Sequence, residues 1–139
     1  MNLFQKLTLT SFLALSSAAV AQAAEIQLTV SNIQVAQGSI QIAIFNSEKT
    51  YNSGKPVISK SIQVTGDQLN ISFPELTDGD YAIKLLHDEN DNGKLDTNLV
   101  GMPTEGYGFS NNGGRFGPAS YADAHFTVAG DTSISIKIR

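Results

Sequence analysis

Residues 81–98 read YAIKLLHDENDNGKLDTN and join an apolar strand pattern to a short acidic segment. Ala82 to Leu86 is almost continuously apolar, which predicts a short strand buried on both faces. Aspartate, asparagine and glycine crowd the following segment, His87 to Asn98, where the strand pattern stops. This stretch indicates an all-β fold, because it predicts a β-strand that leads directly into a loop rich in side chains that can bind a metal ion.

Oxygen-bearing side chains recur at alternate positions of the acidic segment. Counted from Asp88 as position one, Asn90, Asn92 and Asp96 occupy positions three, five and nine, and Gly93 occupies position six. Alternate residues of a calcium loop point inward, and the glycine at position six allows its sharp turn. The spacing therefore predicts a calcium site.

The predicted site departs from the helix-flanked type. The Lys94 carbonyl at position seven would add an oxygen, but position twelve, which carries a bidentate glutamate in that type, is Leu99. Glu105 or Asp123 would have to complete the shell. We therefore expect a structural calcium ion bound weakly, at about 10⁻⁴–10⁻³ M, as in extracellular modules.

Two alternatives to calcium stay open. Asn92-Gly93 is also a favoured hairpin turn, and the flanking acids could be ordinary solvated loop residues. Magnesium is less suited to the segment, because it demands octahedral geometry and holds its water tightly.

Period-two alternation recurs along the rest of the chain and predicts six further strands. The alternating apolar positions begin at Ile26, Ile40, Ile58, Leu69, Ala124 and Ile134. The second run is expected to be central, and the third, which contains Lys60, an edge strand. Tyr81, two residues after Gly79, is typical of the tyrosine corner of immunoglobulin-like sandwiches, or is a core-edge aromatic. About seven strands without a helical period predict an all-β, antiparallel two-layer sandwich, immunoglobulin-like or transthyretin-like, with one long ordered loop.

His87 to Ser120 is the longest segment without alternation, and loops of this length are usually functional or disordered. Tyr107, Phe109 and Phe116 favour order, because aromatic side chains need a surface to pack on. One interpretation is a recognition surface in which Tyr107 stacks on a sugar ring or a peptide. The other is that the aromatic residues only fix the loop to the sheet. The predicted ligand-binding residues are Glu105, Tyr107, Phe109 and Asn111.

The sequence carries little that supports catalysis. His87 and His125 are its two histidines, and it has no serine-nucleophile elbow, metalloprotease helix or phosphate-binding glycine loop. Asp88 and Glu105 could form the carboxylate pair of a glycosidase. The sequence thus favours a non-enzymatic protein that binds an envelope ligand or partner. A carbohydrate hydrolase and a purely structural role are the alternatives.

The first 23 residues have the features of an export signal. Lys6 precedes a mostly apolar run, Leu7 to Leu15, and Ala21-Gln22-Ala23 provides a small-x-small cleavage pattern. The run is too short to span a bilayer comfortably. We therefore expect a periplasmic or secreted protein with one domain over residues 24–139 and no membrane insertion after cleavage.

The net charge and the absence of cysteine exclude several classes of binding partner and site. Without Lys6 the chain keeps 8 basic and 13 acidic residues, a net charge of −5, and no basic stripe that would bind nucleic acid. The absence of cysteine excludes disulfides, thiolate chemistry and cysteine-ligated zinc. An envelope ligand or protein of unknown identity remains the expected partner.

Two segments carry a family resemblance: LTDGDYAIKLLHDENDNGKLDTNLVGMPTEGYGFSNN at 76–112 and GPASYADAHF at 117–126. They resemble the domain of unknown function 2141 family, small bacterial exported proteins, and the similarity extends over roughly Ile26 to Ile138. The resemblance implies a periplasmic or secreted location and a sandwich of transthyretin or immunoglobulin type, with no established activity. The oxygen set from Asp88 to Asp96 also resembles calcium loops of B-type domains in bacterial surface proteins, which usually carry a further acid downstream.

Overall fold

The computed structural model describes residues 22–139, so the predicted export signal lies almost wholly outside the described residues. Within that range, eight strands form two sheets of three and five strands. The all-β, two-layer fold predicted from the alternating apolar positions is confirmed.

The smaller sheet has the strand order β4 (Leu69–Leu76), β1 (Ala24–Ser31), β8 (Thr132–Lys137). β1 and β4 are antiparallel, but β1 and β8 are parallel. The predicted antiparallel sandwich thus has one exception among its strand pairs, this parallel pair. Parallel neighbours need a long connection, and here almost the whole domain lies between the two strands.

The larger sheet has the order β3 (Ile58–Gln63), β2 (Ser39–Phe45), β5 (Gly79–Asp88), β6 (Tyr107–Phe109), and β7 (Phe126–Val128) pairs with the start of β5. β2 is central and β3 lies at the edge, as predicted. β6 lies inside the segment predicted to be one long ordered loop, so a short strand interrupts that loop.

The main core lies between the two sheets and is formed by the alternating apolar positions. Its fully buried side chains include Ile26, Leu28, Ile40, Ile42, Ile44, Ile83 and Ile136. Burial of each such side chain stabilises the fold by about 1.5–3 kcal/mol. The period-two pattern thus fixes which face of each strand points inward.

A second apolar cluster covers one end of the outer face of the larger sheet. It contains Phe45, Tyr51, Ala82, Phe109, Ala119 and Ala124. Two short helices, α1 (Glu48–Ser53) and α2 (Tyr121–Ala124), contribute to it, and the Tyr51 hydroxyl donates to the Ala119 carbonyl at 2.8 Å. Neither helix was predicted, because elements this short show no clear 3.6-residue period. No helix within residues 22–139 combines the length and apolar character needed to cross a membrane.

Two contacts stabilise the corners of the sandwich. The Tyr81 hydroxyl donates to the Thr77 carbonyl at 2.8 Å, which is the geometry of a tyrosine corner. Tyr107 and Arg139 exchange two backbone hydrogen bonds of 3.0 Å, so the chain end pairs with β6. The smaller sheet is thereby tied to the larger one beside the long loop.

Candidate functional site

The acidic loop begins where β5 ends. Asp88 is the last residue of β5 and is only 1% exposed. Its Oδ1 accepts the backbone N–H of Asn92 at 3.0 Å, and its Oδ2 accepts that of Gly93 at 2.7 Å. Gly93 has φ +81°, a conformation that favours glycine, as predicted for position six. The buried carboxylate therefore holds the loop backbone in its turn.

Three of the predicted metal ligands contact one another: the amides of Asn90 and Asn92 both bind the carboxylate of Asp96. The Asn90 Nδ2 donates to Asp96 Oδ2 at 2.5 Å, and the Asn92 Nδ2 donates to both Asp96 oxygens at 2.8 and 3.0 Å. These amides lower the pKa of Asp96, with a smaller contribution from the positive charge of Lys94. Asp96 is thus held ionised in the middle of the loop.

The two amides face Asp96 with their nitrogen atoms. Their oxygen atoms accept backbone N–H groups instead: Asn90 Oδ1 from Asn92 at 3.2 Å, and Asn92 Oδ1 from Lys94 at 3.0 Å. A half turn of each amide would direct its oxygen toward Asp96, where a cation could separate the negative groups. The same turn would point the NH₂ groups at the N–H groups of Asn92 and Lys94, so this backbone would have to shift. The donor set predicted from the sequence has two carboxylates, two amide oxygens and the Lys94 carbonyl, although both oxygens of Asp88 already accept backbone N–H groups. These are the oxygen types that calcium takes.

The loop lacks a third acidic ligand. Among residues 22–139, no group of three histidine or acidic side chains is arranged to hold a metal ion.

Glu105 is buried beneath the loop and joins its two ends. Its Oε1 accepts the backbone N–H of Glu89 at 3.0 Å, and its Oε2 accepts that of Asp96 at 2.9 Å. Asp123, the other residue suggested to complete the shell, lies in α2 and accepts from the Ser120 hydroxyl at 2.8 Å. Of the two candidates, only Glu105 lies at the loop, and both of its oxygens bind backbone.

The predicted ligand-binding residues lie in different surroundings. Tyr107 and Phe109 sit on β6 with their rings in edge contact at 6.0 Å, and Phe109 is buried in the second apolar cluster. Asn111 has φ +59°, and its Nδ2 donates to the carbonyls of Asp123 and His125 at 3.1 and 2.8 Å. Phe116 is 96% exposed, contrary to the expectation that it needs a surface to pack on.

A comparison with protein-family models matches residues 28–137 to DUF2141, described as an uncharacterised protein conserved in bacteria. The chain belongs to the DUF2141 family. Searches of curated proteins and of solved structures found no match for the chain. The family resemblance noted from the sequence is confirmed, and the DUF2141 region takes in the whole acidic loop.

Three residues that order this DUF2141 loop, Ser39, Asp91 and Asn98, were not singled out from the sequence. Asp91 has φ +56° and accepts from the Ser39 hydroxyl at 2.9 Å, which ties the loop to β2. Asn98 Oδ1 accepts the N–H groups of Val100 and Met102, both at 3.0 Å. An asparagine that caps the backbone two residues onward is a known turn signal, so the sequence could have indicated Asn98.

Proposed function

We propose that this chain is an exported, non-enzymatic β-sandwich protein in which a structural calcium ion orders the acidic loop, residues 87–98. The adjoining segment, residues 101–120, binds a ligand or partner in the cell envelope. One observation carries the proposal: the side chains of Asn90 and Asn92 both contact Asp96, and the backbone N–H of Asn92 donates to the buried carboxylate of Asp88.

The acidic loop concentrates negative charge, which favours a bound calcium ion. Asp88, Asp91 and Asp96 lie within nine residues, and the described residues include no ion pair between a lysine or arginine and any of these acids. A dication at the loop would offset their mutual repulsion and replace the amide nitrogens around Asp96 with oxygens. The ion would stabilise the folded state without taking part in a reaction.

Calcium titration during thermal unfolding tests the proposal. Binding at about 10⁻⁴–10⁻³ M would stabilise the fold by roughly 1.4–2.7 kcal/mol at ~10 mM calcium, a shift of several degrees in Tm. We expect this shift in the wild type and in an Asp67→Asn control, whose carboxylate lies in an exposed turn. Asp96→Asn should abolish it. If calcium does not change the Tm of the wild type, the proposed calcium site is wrong.

The export part of the proposal rests on the start of the domain. β1 begins at Ala24, directly after the small-x-small pattern, and Ala24 is already buried. Cleavage after Ala23 would therefore leave the first strand intact.

The carbohydrate hydrolase stays a prediction from the sequence, and no specific contact favours it. Each carboxylate oxygen of Asp88 and Glu105 accepts a backbone N–H, and both residues are buried. A glycosidase needs one carboxyl group free to protonate the substrate and another free to attack it or to activate water.

A further inference from the structure

The outer face of the larger sheet changes from polar at β3 to aromatic at β6. The strand register aligns its outward side chains in two rows that cross β3, β2, β5 and β6. The first row is Ser59, Ala43, Lys84 and Phe109, and the second is Ser61, Gln41, Leu86 and Tyr107. Each row thus begins with polar groups at the β3 edge and ends with an aromatic ring at β6.

Two adjoining cavities follow these rows. One of about 530 Å³ lies over the polar end, lined by Gln41, Ser59 and Ser61 among others. The other, of about 700 Å³, lies over the aromatic end, where the long loop contributes Met102 and Phe116. Both are lined by Lys84 and Leu86, so together they form one groove. Each volume falls in the range of about 300–1,000 Å³ that is typical of small-molecule sites.

The apolar end of the groove is open to solvent. Met102 and Phe116 are 60% and 96% exposed, although both line the larger cavity. Large apolar side chains gathered around a concave surface indicate a binding site more strongly than isolated ones do. This end would therefore gain free energy by covering a hydrocarbon chain.

Lys84 supplies an unpaired positive charge where the two cavities meet. It is partly buried, its Nζ donates to the Tyr51 carbonyl at 3.1 Å, and it lies 3.8 Å from the centre of the Tyr51 ring. The one ion pair in the described part of the chain joins His87 and Glu89, so no carboxylate neutralises Lys84. The Phe45 ring also lies 5.0 Å from Nζ, so a carbonyl and two aromatic faces surround this ammonium group, and none of them carries a negative charge.

Desolvation of Lys84 favours a negatively charged binding partner. Burial lowers the pKa of Lys84, because its charged form loses hydration without gaining an ionic partner. An anionic group from a ligand would supply that partner. A purely apolar ligand would leave the charge uncompensated.

We propose that the groove binds a free amphipathic anion, a single hydrocarbon chain that ends in a carboxylate. The chain lies over Leu86 between Met102 and Phe116, and the carboxylate pairs with Lys84. The inference rests on the proposed function in one respect, since the proposed ligand-binding loop forms a wall of the groove. It does not rest on calcium.

Calorimetric titration of the mature protein with dodecanoate, below its micelle concentration, tests the ligand class. We expect one dodecanoate per chain, with dodecanol bound at least about tenfold more weakly, because its hydroxyl carries no negative charge to pair with the Lys84 ammonium. Dodecyltrimethylammonium should not bind. Equal affinity for dodecanoate and dodecanol would overturn the proposal, as would binding only to vesicles of anionic phospholipid.

Substitutions test the two ends of the ligand separately. Lys84→Met should weaken dodecanoate binding by about tenfold or more, whereas Lys84→Arg and the remote Lys137→Met should retain most of it. Met102→Ser should weaken binding, whereas Leu99→Ser, on the same loop but outside the cavity, should not. Thermal unfolding of each variant separates loss of binding from loss of fold. Unchanged affinity in folded Lys84→Met, or equal effects of the two serine variants, would contradict the proposal.

The outcome distinguishes the two proposals. If calcium raises Tm but dodecanoate does not bind, the ligand class is wrong and the calcium loop stands. If dodecanoate binds with the expected variant pattern but calcium has no effect, the groove stands and the calcium loop is wrong.

Discussion

At the residue scale, two buried carboxylates organise the long loop. Asp88 and Glu105 are 1% and 7% exposed, and each accepts two backbone N–H groups. Burying a charge is costly unless it is hydrogen-bonded, and these four bonds offset the cost. The four N–H donors all lie between Glu89 and Asp96, so both residues act as internal caps of an irregular backbone.

Replacement of Glu105 tests its role in this capping. Glu105→Gln keeps the size of the side chain but replaces one acceptor oxygen by an NH₂ group, which would face a backbone donor. We expect the free energy of unfolding to fall by about 1.5–3 kcal/mol in urea denaturation, the usual contribution of a hydrogen bond to a charged group. Glu75→Gln, at an exposed position, is the matched control and should be neutral. Equal stability of the two variants would contradict the capping role.

The sequence predicted which residues carry oxygen in the loop, but not how they are oriented. Spacing alone identified Asp88, Asn90, Asn92 and Asp96, because an alternating pattern is local information. The burial of Glu105 depends on contacts with residues sixteen and nine positions earlier in the chain. Such contacts cannot be derived from periodicity.

At the element scale, β6 is the strand that joins the long loop to both sheets. It pairs with β5 on one side and, through Tyr107, with Arg139 on the other. Gly108 allows this close approach: a Cβ there would lie 2.8 Å from Ile136 Cγ2 and 3.0 Å from the Lys137 carbonyl oxygen. The absence of a side chain is therefore a packing requirement of β8.

Adding a single methyl group at Gly108 tests whether β8 requires glycine there. Gly108→Ala should reduce the free energy of unfolding by about 1–3 kcal/mol, because the added Cβ overpacks the contact with β8. Gly66→Ala is the matched control, since a Cβ at Gly66 meets no atom within 4 Å. Chemical denaturation measures both. A stability of Gly108→Ala equal to that of the control would show that β8 can move away freely.

The strands that the sequence predicted are those with a long alternating pattern. β1, β2 and β4 each contain at least three inward apolar residues, and their faces were assigned correctly. β6, with three residues, was missed, whereas the equally short β7 was predicted as part of a strand that began at Ala124, a residue that lies in α2. The parallel pairing of β8 with β1 was missed because strand direction depends on the path of the intervening chain.

At the scale of the whole molecule, the two sheets form a rigid support and the outer face of the larger sheet carries the candidate chemistry. The acidic loop leaves this sheet at Asp88, and the chain returns to it at Tyr107. The groove over Lys84 and Leu86 lies beside the returning segment. An ion that orders the loop would therefore also fix one wall of the groove.

A crystal structure of the mature protein grown with calcium tests the central claim most directly. The account predicts one ion in the acidic loop, with oxygens of Asp88, Asn90, Asn92, Asp96 and the Lys94 carbonyl about 2.3–2.6 Å away, and with both asparagine amides turned so that their oxygens face it. An ion-free loop at saturating calcium, with the amide nitrogens still donating to Asp96, would contradict it.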